Sequence, residues 1–324
     1  MAATKTRGVK SKGNLAIFIS LCSLFIVLGY ITYSQWEQPG VDQDISDNAV
    51  ADPHELEDFA SPMPAISFDV PVSLQFAGEE VPLHIADVRE RLDKELQINC
   101  YLHSNTIFLI KRANRWLPQM ERILQSYNIP EDFKYLPLIE SNLLNVTSPK
   151  DAVGYWQILE ESGKELGLEI NKEVDERYDP LKATEAACKY LRKAHTKFGD
   201  WTLVAASYNR GMGGMQRALE EQQEKSYYDL YLNDETSRYV FRILAIREII
   251  ENPFKYGFKV DKKHLYQEEK LRYVDVTESV NDLIAFSKKY QINYKLLKRY
   301  NPWLRGDKLT VKKGRSYKIA LPVV

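Results

Sequence analysis

The chain has 324 residues, with 44 Lys and Arg against 45 Asp and Glu, for a formal net charge of −1. That balance excludes a broadly basic nucleic-acid binder and an acidic disordered chain, while an apolar share of 44% fits a globular protein. Three cysteines are too few for a disulfide-built scaffold, and the five histidines are scattered with no ligand-like pair, so neither a metal site nor a cofactor is expected.

Charge is strongly segregated along the chain. A basic segment, 1–14, carries Lys5, Arg7, Lys10 and Lys12 and precedes an uncharged stretch at 13–36. Its apolar centre, 15–33, would reach about 28 Å as a helix, close to the hydrocarbon thickness of a bilayer. Basic residues before this span and none soon after it predict a single-pass anchor at 15–34, with the amino terminus cytoplasmic and the rest in the periplasm or an equivalent extracytoplasmic space. A cleaved signal peptide is the alternative, although the core is long for one and lacks small residues at a clear cleavage site. From 37 to 80 there are eleven acidic residues, five prolines and no Lys or Arg. The segment 35–80 therefore reads as a linker, with apolar alternation at 68–76 suggesting an arm that packs on the next domain.

Helical periodicity covers 86–97, 104–127 and 130–141. In the second stretch Ile107, Ile110, Ala113, Trp116, Met120, Ile123 and Leu124 share a face. Asp179-Pro180 reads as an N-cap followed by a proline at the first helical position, after which Leu181, Thr184, Cys188 and Leu191 line one side. A further amphipathic helix is predicted at 236–251, closed by Asn252-Pro253. Strand signals are sparse throughout, so 81–258 is an all-α domain. Cys188 is a core residue by this pattern, and its spacing from Cys100 does not argue for a disulfide.

Three pieces are unusual for plain helix packing. Glu140 ends the apolar run 135–141, where lost hydration would raise a carboxyl pKa toward the range of a general acid; a surface Glu closing a helix is the bland alternative. In 152–168, Gly154 permits close backbone approach, and Tyr155, Trp156 and Gln157 offer the aromatic and amide surface that suits a sugar, unless Trp156 is simply core. In 205–211, Tyr208 and Asn209 end a helix beside glycines 211, 213 and 214, as a site element or as a capping turn.

In this order the pieces resemble the lytic transglycosylases of the soluble lytic transglycosylase superfamily. The resemblance runs over 116–258. It rests on Glu140-Ser141, on Gly154-Tyr155-Trp156-Gln157-Ile158, and on Asp175-Glu176-Arg177-Tyr178-Asp179-Pro180. Two further stretches extend it, Tyr208-Asn209 and Glu235-Thr236-Ser237-Arg238-Tyr239-Val240. It implies a lysozyme-like α-helical catalytic domain that cleaves peptidoglycan glycan strands between N-acetylmuramic acid and N-acetylglucosamine, forming a 1,6-anhydro product. Glu140 is the implied catalytic acid and base. Tyr208 and Asn209 would hold Glu140 or the N-acetyl group, with Ser141, Gln157 and Tyr239 as groove contacts. Arg210 replaces the usual Ala after Tyr-Asn, Asp151 stands where Gly is common, and Pro137 interrupts the helix before Glu140. Asp151 could act as a second carboxylate and make the chain a lysozyme-like hydrolase. A non-catalytic peptidoglycan-binding protein on the same scaffold is the other rival.

The tail, 272–324, holds twelve Lys and Arg against four Asp and Glu. Its pattern is strand, helix, helix, strand (273–276, 280–289, 294–300 and 317–322), and it resembles a small βααβ LysM module at Tyr273, Val274, Ser279, Leu283, Ala285, Tyr290, Leu296 and Asn301. Glu278-Ser279-Val280 departs from that module's usual Gly-Asp-Thr/Ser-Leu, so a degenerate wall-binding tail and a structural cap both stand. The expected architecture is thus mainly α, with an N-terminal transmembrane helix, a lysozyme-like domain and a LysM-like domain.

Overall fold

The computed structural model describes residues 66–323. The basic segment 1–14, the apolar span 15–34 and the linker up to residue 65 lie outside the described residues. Among the described residues no helix is long and apolar enough to cross a membrane.

The described chain opens on the apolar arm. Val70, Leu74 and Phe76 are buried, and Phe76 meets the Phe133 ring at 5.4 Å. The arm turns back through a two-residue hairpin, β1 (Gln75–Phe76) against β2 (Glu79–Glu80), with Ala77 and Gly78 both at positive φ as a tight hairpin turn requires. The linker predicted to extend to residue 80 therefore gives way to the folded domain earlier. Its alternating apolar residues find a core to bury against, which the acidic residues before them cannot do.

Helices α1 (Ala86–Tyr101) and α2 (His103–Ser126) come next. The buried stripe of α2 runs through Thr106, Leu109, Ala113, Leu117, Met120 and Leu124, with Ile107, Trp116 and Ile123 at its margin. The predicted helix at 130–141 splits into a 3-10 turn, Glu131–Tyr135, and a short α3 (Leu136–Ser141). Pro137 is accommodated because it falls in the first turn of α3, where no intrahelical N–H bond is lost. Beyond it lie α4 (Glu160–Glu165), α5 (Pro180–Phe198), α6 (Trp201–Arg210), α7 (Met212–Gln222) and α8 (Asp234–Glu251). The Asp179 carboxylate caps α5, accepting from the Leu181 and Lys182 amides, with Pro180 at the first helical position. Cys188 on α5 and Cys100 on α1 are both buried and unpaired.

The pattern at 236–251 predicts an amphipathic helix, but α8 runs through the centre of the domain. From Tyr239 to Ile249 only Arg242 escapes burial, and the helix packs on α1, α3 and α6. A helix surrounded by others buries every face rather than one stripe.

The tail is β3 (Leu271–Val276), α9 (Leu283–Lys289), α10 (Tyr294–Tyr300) and β4 (Tyr317–Pro322), with β3 and β4 antiparallel and Tyr273 opposite Ala320. Asp282 and Asn293 cap its two helices. Asn301, wholly buried, donates to the Leu297 and Ala320 carbonyls and accepts from the Ala320 amide, tying α10 to β4. The tail has its own hydrophobic core of Leu283, Leu297, Leu309, Ile319 and Leu321, and this core also takes in Val174 from the helical domain. The Glu173 carbonyl accepts from the Arg305 and Gly306 amides, and its carboxylate accepts from the Thr310 amide. The two modules are thus joined by an inserted side chain and by backbone bonds.

Candidate active site

Helix α3 ends at Glu140-Ser141 because Asn142 and Leu143 both adopt left-handed backbone, at φ 54° and 55°. Ser141 is buried and its hydroxyl lies 3.1 Å from the Pro137 carbonyl and 2.9 Å from the Tyr155 carbonyl. This contact fastens the loop 153–158 to the end of α3. Gly154, at φ 79°, makes the loop's close approach possible: a Cβ there would sit 2.1 Å from the Arg177 carbonyl oxygen. Arg177 in turn forms a two-pronged ion pair with Asp175 and donates to the Asp151 and Ile158 carbonyls. The Gln157 amide nitrogen donates to the Gly154 and Val146 carbonyls at 2.7 and 3.1 Å.

Two phenols, one buried and one partly buried, reach this end of α3. The Tyr239 hydroxyl, from α8, donates to Glu140 Oε1 at 2.5 Å. One turn along, Arg242 donates to the Ile139 carbonyl at 2.6 Å. The Tyr208 hydroxyl, from the end of α6, donates to the Trp156 carbonyl at 2.7 Å. Asn209 beside it donates to Glu235 at 3.0 Å and accepts from Thr236 at 2.8 Å. Residues 235, 236, 239 and 242 are spaced to share one side of α8, so a single helix meets the ends of both α3 and α6.

Burial raises the Glu140 pKa above the ordinary carboxyl value. The Tyr239 hydrogen bond and the Arg242 charge oppose that rise, and the Glu235 charge adds to it. Burial also holds the Tyr208 and Tyr239 phenols well above their usual range, so both remain hydrogen-bond donors at neutral pH. A shift in that direction moves a carboxyl toward the range in which it can both give and accept a proton.

Two segments match family models. Residues 119–231 match the Transglycosylase SLT domain, and residues 272–324 match the soluble lytic transglycosylase C-terminal LysM-like domain. The chain carries an SLT transglycosylase domain. Two curated relatives, both named membrane-bound lytic murein transglycosylase D, come from Escherichia coli K12 and Escherichia coli O6:H1 strain CFT073. Each is 28% identical over 243 residues, covering 72% of this chain. The chain spans about half the length of these relatives, 52%. Among solved structures, an inactive mutant of the lytic transglycosylase Slt from Pseudomonas aeruginosa overlaps with a TM-score of 0.34 and 18% identity. The overlap covers 47% of this chain and 26% of that one.

Within the SLT domain and the helix after it, the structure gathers Glu140, Ser141, Gln157, Tyr208, Asn209 and Tyr239 around the end of α3, but not in the arrangement expected. Tyr239 and Ser141 turn inward rather than into an open groove: Tyr239 bonds Glu140, and Ser141 bonds the loop. Tyr208 bonds the loop backbone and Asn209 bonds Glu235, so neither is the direct partner of Glu140. Trp156 offers no sugar-stacking surface. It is wholly buried, with its indole N–H on Thr184 of α5 at 2.8 Å. Asp151 is exposed in a turn and borders a different cleft, with Glu160 and Arg177, so it supplies no second carboxylate at Glu140. Arg210 is exposed and donates to the Gly214 carbonyl. Sequence reasoning missed Arg242 and the placement of Glu235; spacing from Tyr239 by one helical turn in each direction was the available signal. Both line a cleft of about 410 Å3 between α1, α3 and α8, together with Ile139 and Asn142.

Proposed function

We propose that the chain is a peptidoglycan lytic transglycosylase, cleaving the β-1,4 bond between N-acetylmuramic acid and N-acetylglucosamine with formation of a 1,6-anhydromuramoyl end. The observation that carries this reading is the Glu140 carboxyl in its setting. It ends an apolar helix beside an SLT-domain loop, its pKa is raised by burial, and a buried phenol fixes it.

In this mechanism Glu140 gives its proton to the glycosidic oxygen as the bond from that oxygen to the muramic C1 breaks. The resulting carboxylate then takes the proton of the same sugar's 6-hydroxyl while that oxygen bonds to C1. The proton count closes and no water is consumed. A nucleophile already held within the substrate needs no second carboxylate to orient water. The Tyr239 hydroxyl stabilises the carboxylate that forms between the two steps. Tyr208 and Ser141 hold the 153–158 loop at the carboxyl, Gln157 leaves its amide oxygen for a sugar hydroxyl, and Asn209 keeps Glu235 engaged.

We also assign the uncharged span 15–34 as a membrane anchor, supported by its length, by the basic residues before it, and by relatives named membrane-bound. The enzyme would then act on wall polymer outside the membrane. Mass spectrometry of fragments released from purified sacculi tests the chemistry. Anhydro ends are expected; reducing ends would make the protein a hydrolase. No release at all, with retention on insoluble wall, would make it a non-catalytic binder.

A further inference from the structure

A second cleft, of about 690 Å3, lies between α2 and the tail, and the catalytic chemistry proposed above does not use it. Along β4, Tyr317, Ile319 and Leu321 turn into the tail's core, and Val274 and Val276 do the same from β3. Strand alternation sends Lys318 and Ala320, with Leu271 and Tyr273, to the opposite face. In a free-standing two-stranded ribbon that face would meet solvent. Here it forms one wall of the cleft, and Trp116 of α2 and Tyr155 of the 153–158 loop contribute to the other.

The cleft is built and held rather than incidental. Arg115 donates to the Gln267 carbonyl at 2.9 Å, Asn114 donates to the Tyr266 carbonyl at 3.0 Å, and Glu269 pairs with both Arg115 and Arg299. On the far side, Val174 sits in the tail's core. The cleft is also continuous with the catalytic loop, because Tyr155 lines it while its carbonyl accepts from Ser141.

Its charges are unevenly spent. Glu269 is paired twice, Glu268 pairs with Arg122 at 3.5 Å, and the Asp179 carboxylate caps α5. Lys270 and Lys318 are exposed and make no close ion pair among the described residues, although Asp275 stands directly opposite Lys318 in the ladder. Tyr273, 58% exposed, stands between their levels on the ribbon. Unspent positive charge next to an exposed aromatic face suits a ring with an apolar side and an acid group attached.

We propose that this inter-module cleft binds a saccharide bearing carboxylates, with the sugar ring against Tyr273 and separate acid groups paired with Lys318 on one side of that ring and Lys270 on the other, five residues apart along the ribbon. The choice of ligand rests on the murein reading above, since the acid groups of that polymer hang from the sugar being cleaved. The tail then acts as a fixed wall of the substrate track rather than as a separate tether.

The test is calorimetry on the full chain in the Glu140→Gln background, so that the probe is not consumed. The probes are a soluble disaccharide-tripeptide chain from murein, which carries carboxylates, and chitotetraose, which carries none. Substituting Lys270→Gln and Lys318→Gln together should weaken murein-fragment binding by about fivefold to tenfold and leave chitotetraose unaffected. The difference should shrink as salt screens the exposed charges. Tyr273→Ala should weaken both probes. The proposal is overturned if the paired lysine variant binds both probes as its parent does, or loses both equally. A protein that binds the murein fragment in this charge-dependent way but releases no anhydro product from sacculi supports the cleft and overturns the catalytic reading.

Discussion

Replacing Tyr239 by Phe removes one oxygen atom from the site and tests the catalytic assignment directly. That oxygen is 2.5 Å from Glu140 Oε1, on a side chain that is 1% exposed, so solvent cannot readily substitute for it. A hydrogen bond to a charged group contributes about 1.5–3 kcal/mol. This one strengthens as Glu140 hands over its proton and becomes a carboxylate, so its loss falls mainly on the transition state. At about 1.4 kcal/mol per factor of ten, turnover should fall by roughly one to two powers of ten, with KM little changed. The pH profile carries the second signature. The Tyr239 hydrogen bond lowers the Glu140 pKa against the burial that raises it. Without the bond, the carboxyl holds its proton to higher pH. Activity that depends on the protonated acid falls as pH rises through that pKa, so the alkaline limb should move to higher pH. Initial rates of anhydro-product release from sacculi across pH give both numbers. A Tyr239→Phe enzyme with wild-type turnover and an unmoved alkaline limb would refute the role given to this contact.

Three further substitutions probe the scaffold. Gly154→Ala places a methyl 2.1 Å from the Arg177 carbonyl at a φ of 79°, and should cost at least about 3 kcal/mol in urea denaturation; a loss under about 1 kcal/mol would mean the loop shifts freely. Asp175→Ala leaves the buried Arg177 guanidinium without its counter-charge and should cost about 3–5 kcal/mol, with activity falling because Arg177 also holds the loop carbonyls. For Glu140→Gln the sign comes from a folded-state pKa raised by burial. The native state binds the proton more tightly than the unfolded chain, so wild-type stability declines as pH rises above the ordinary carboxyl value of about 4.3. The Gln variant lacks this decline, and its thermal midpoint should exceed that of wild type at pH 7 and converge with it near pH 4. A lower midpoint at pH 7 would contradict the burial of the carboxyl.

What was legible in the sequence was local. The Asp179-Pro180 start of α5, the apolar run before Glu140, and the βααβ order of the tail all depend on neighbours within a turn or two, and each is found in place. The partner of Glu140 was not legible in this way, because Tyr239 lies 99 residues further along the chain and only the packing of α8 on α3 joins them. Trp156 reads equally well as a sugar platform or a core residue. Its inward turn is fixed by Thr184, on a helix whose position the pattern does not encode. Likewise, periodicity alone could not reveal that α8 is enclosed on nearly every side, since that depends on how many neighbours surround it. Gly154 reads as a point of close approach, but the atom approached, the Arg177 carbonyl, emerges only from the fold.

Val174 gives the two modules a shared fate. Its side chain is a plug whose socket belongs to the other module. Cutting the chain near residue 260 would leave that plug bare on one fragment and a hole in the other. Grafting a different carbohydrate-binding tail onto this helical domain would need a matching socket as well as a suitable linker, and swaps that keep Glu173, Val174 and their receiving residues together should express best.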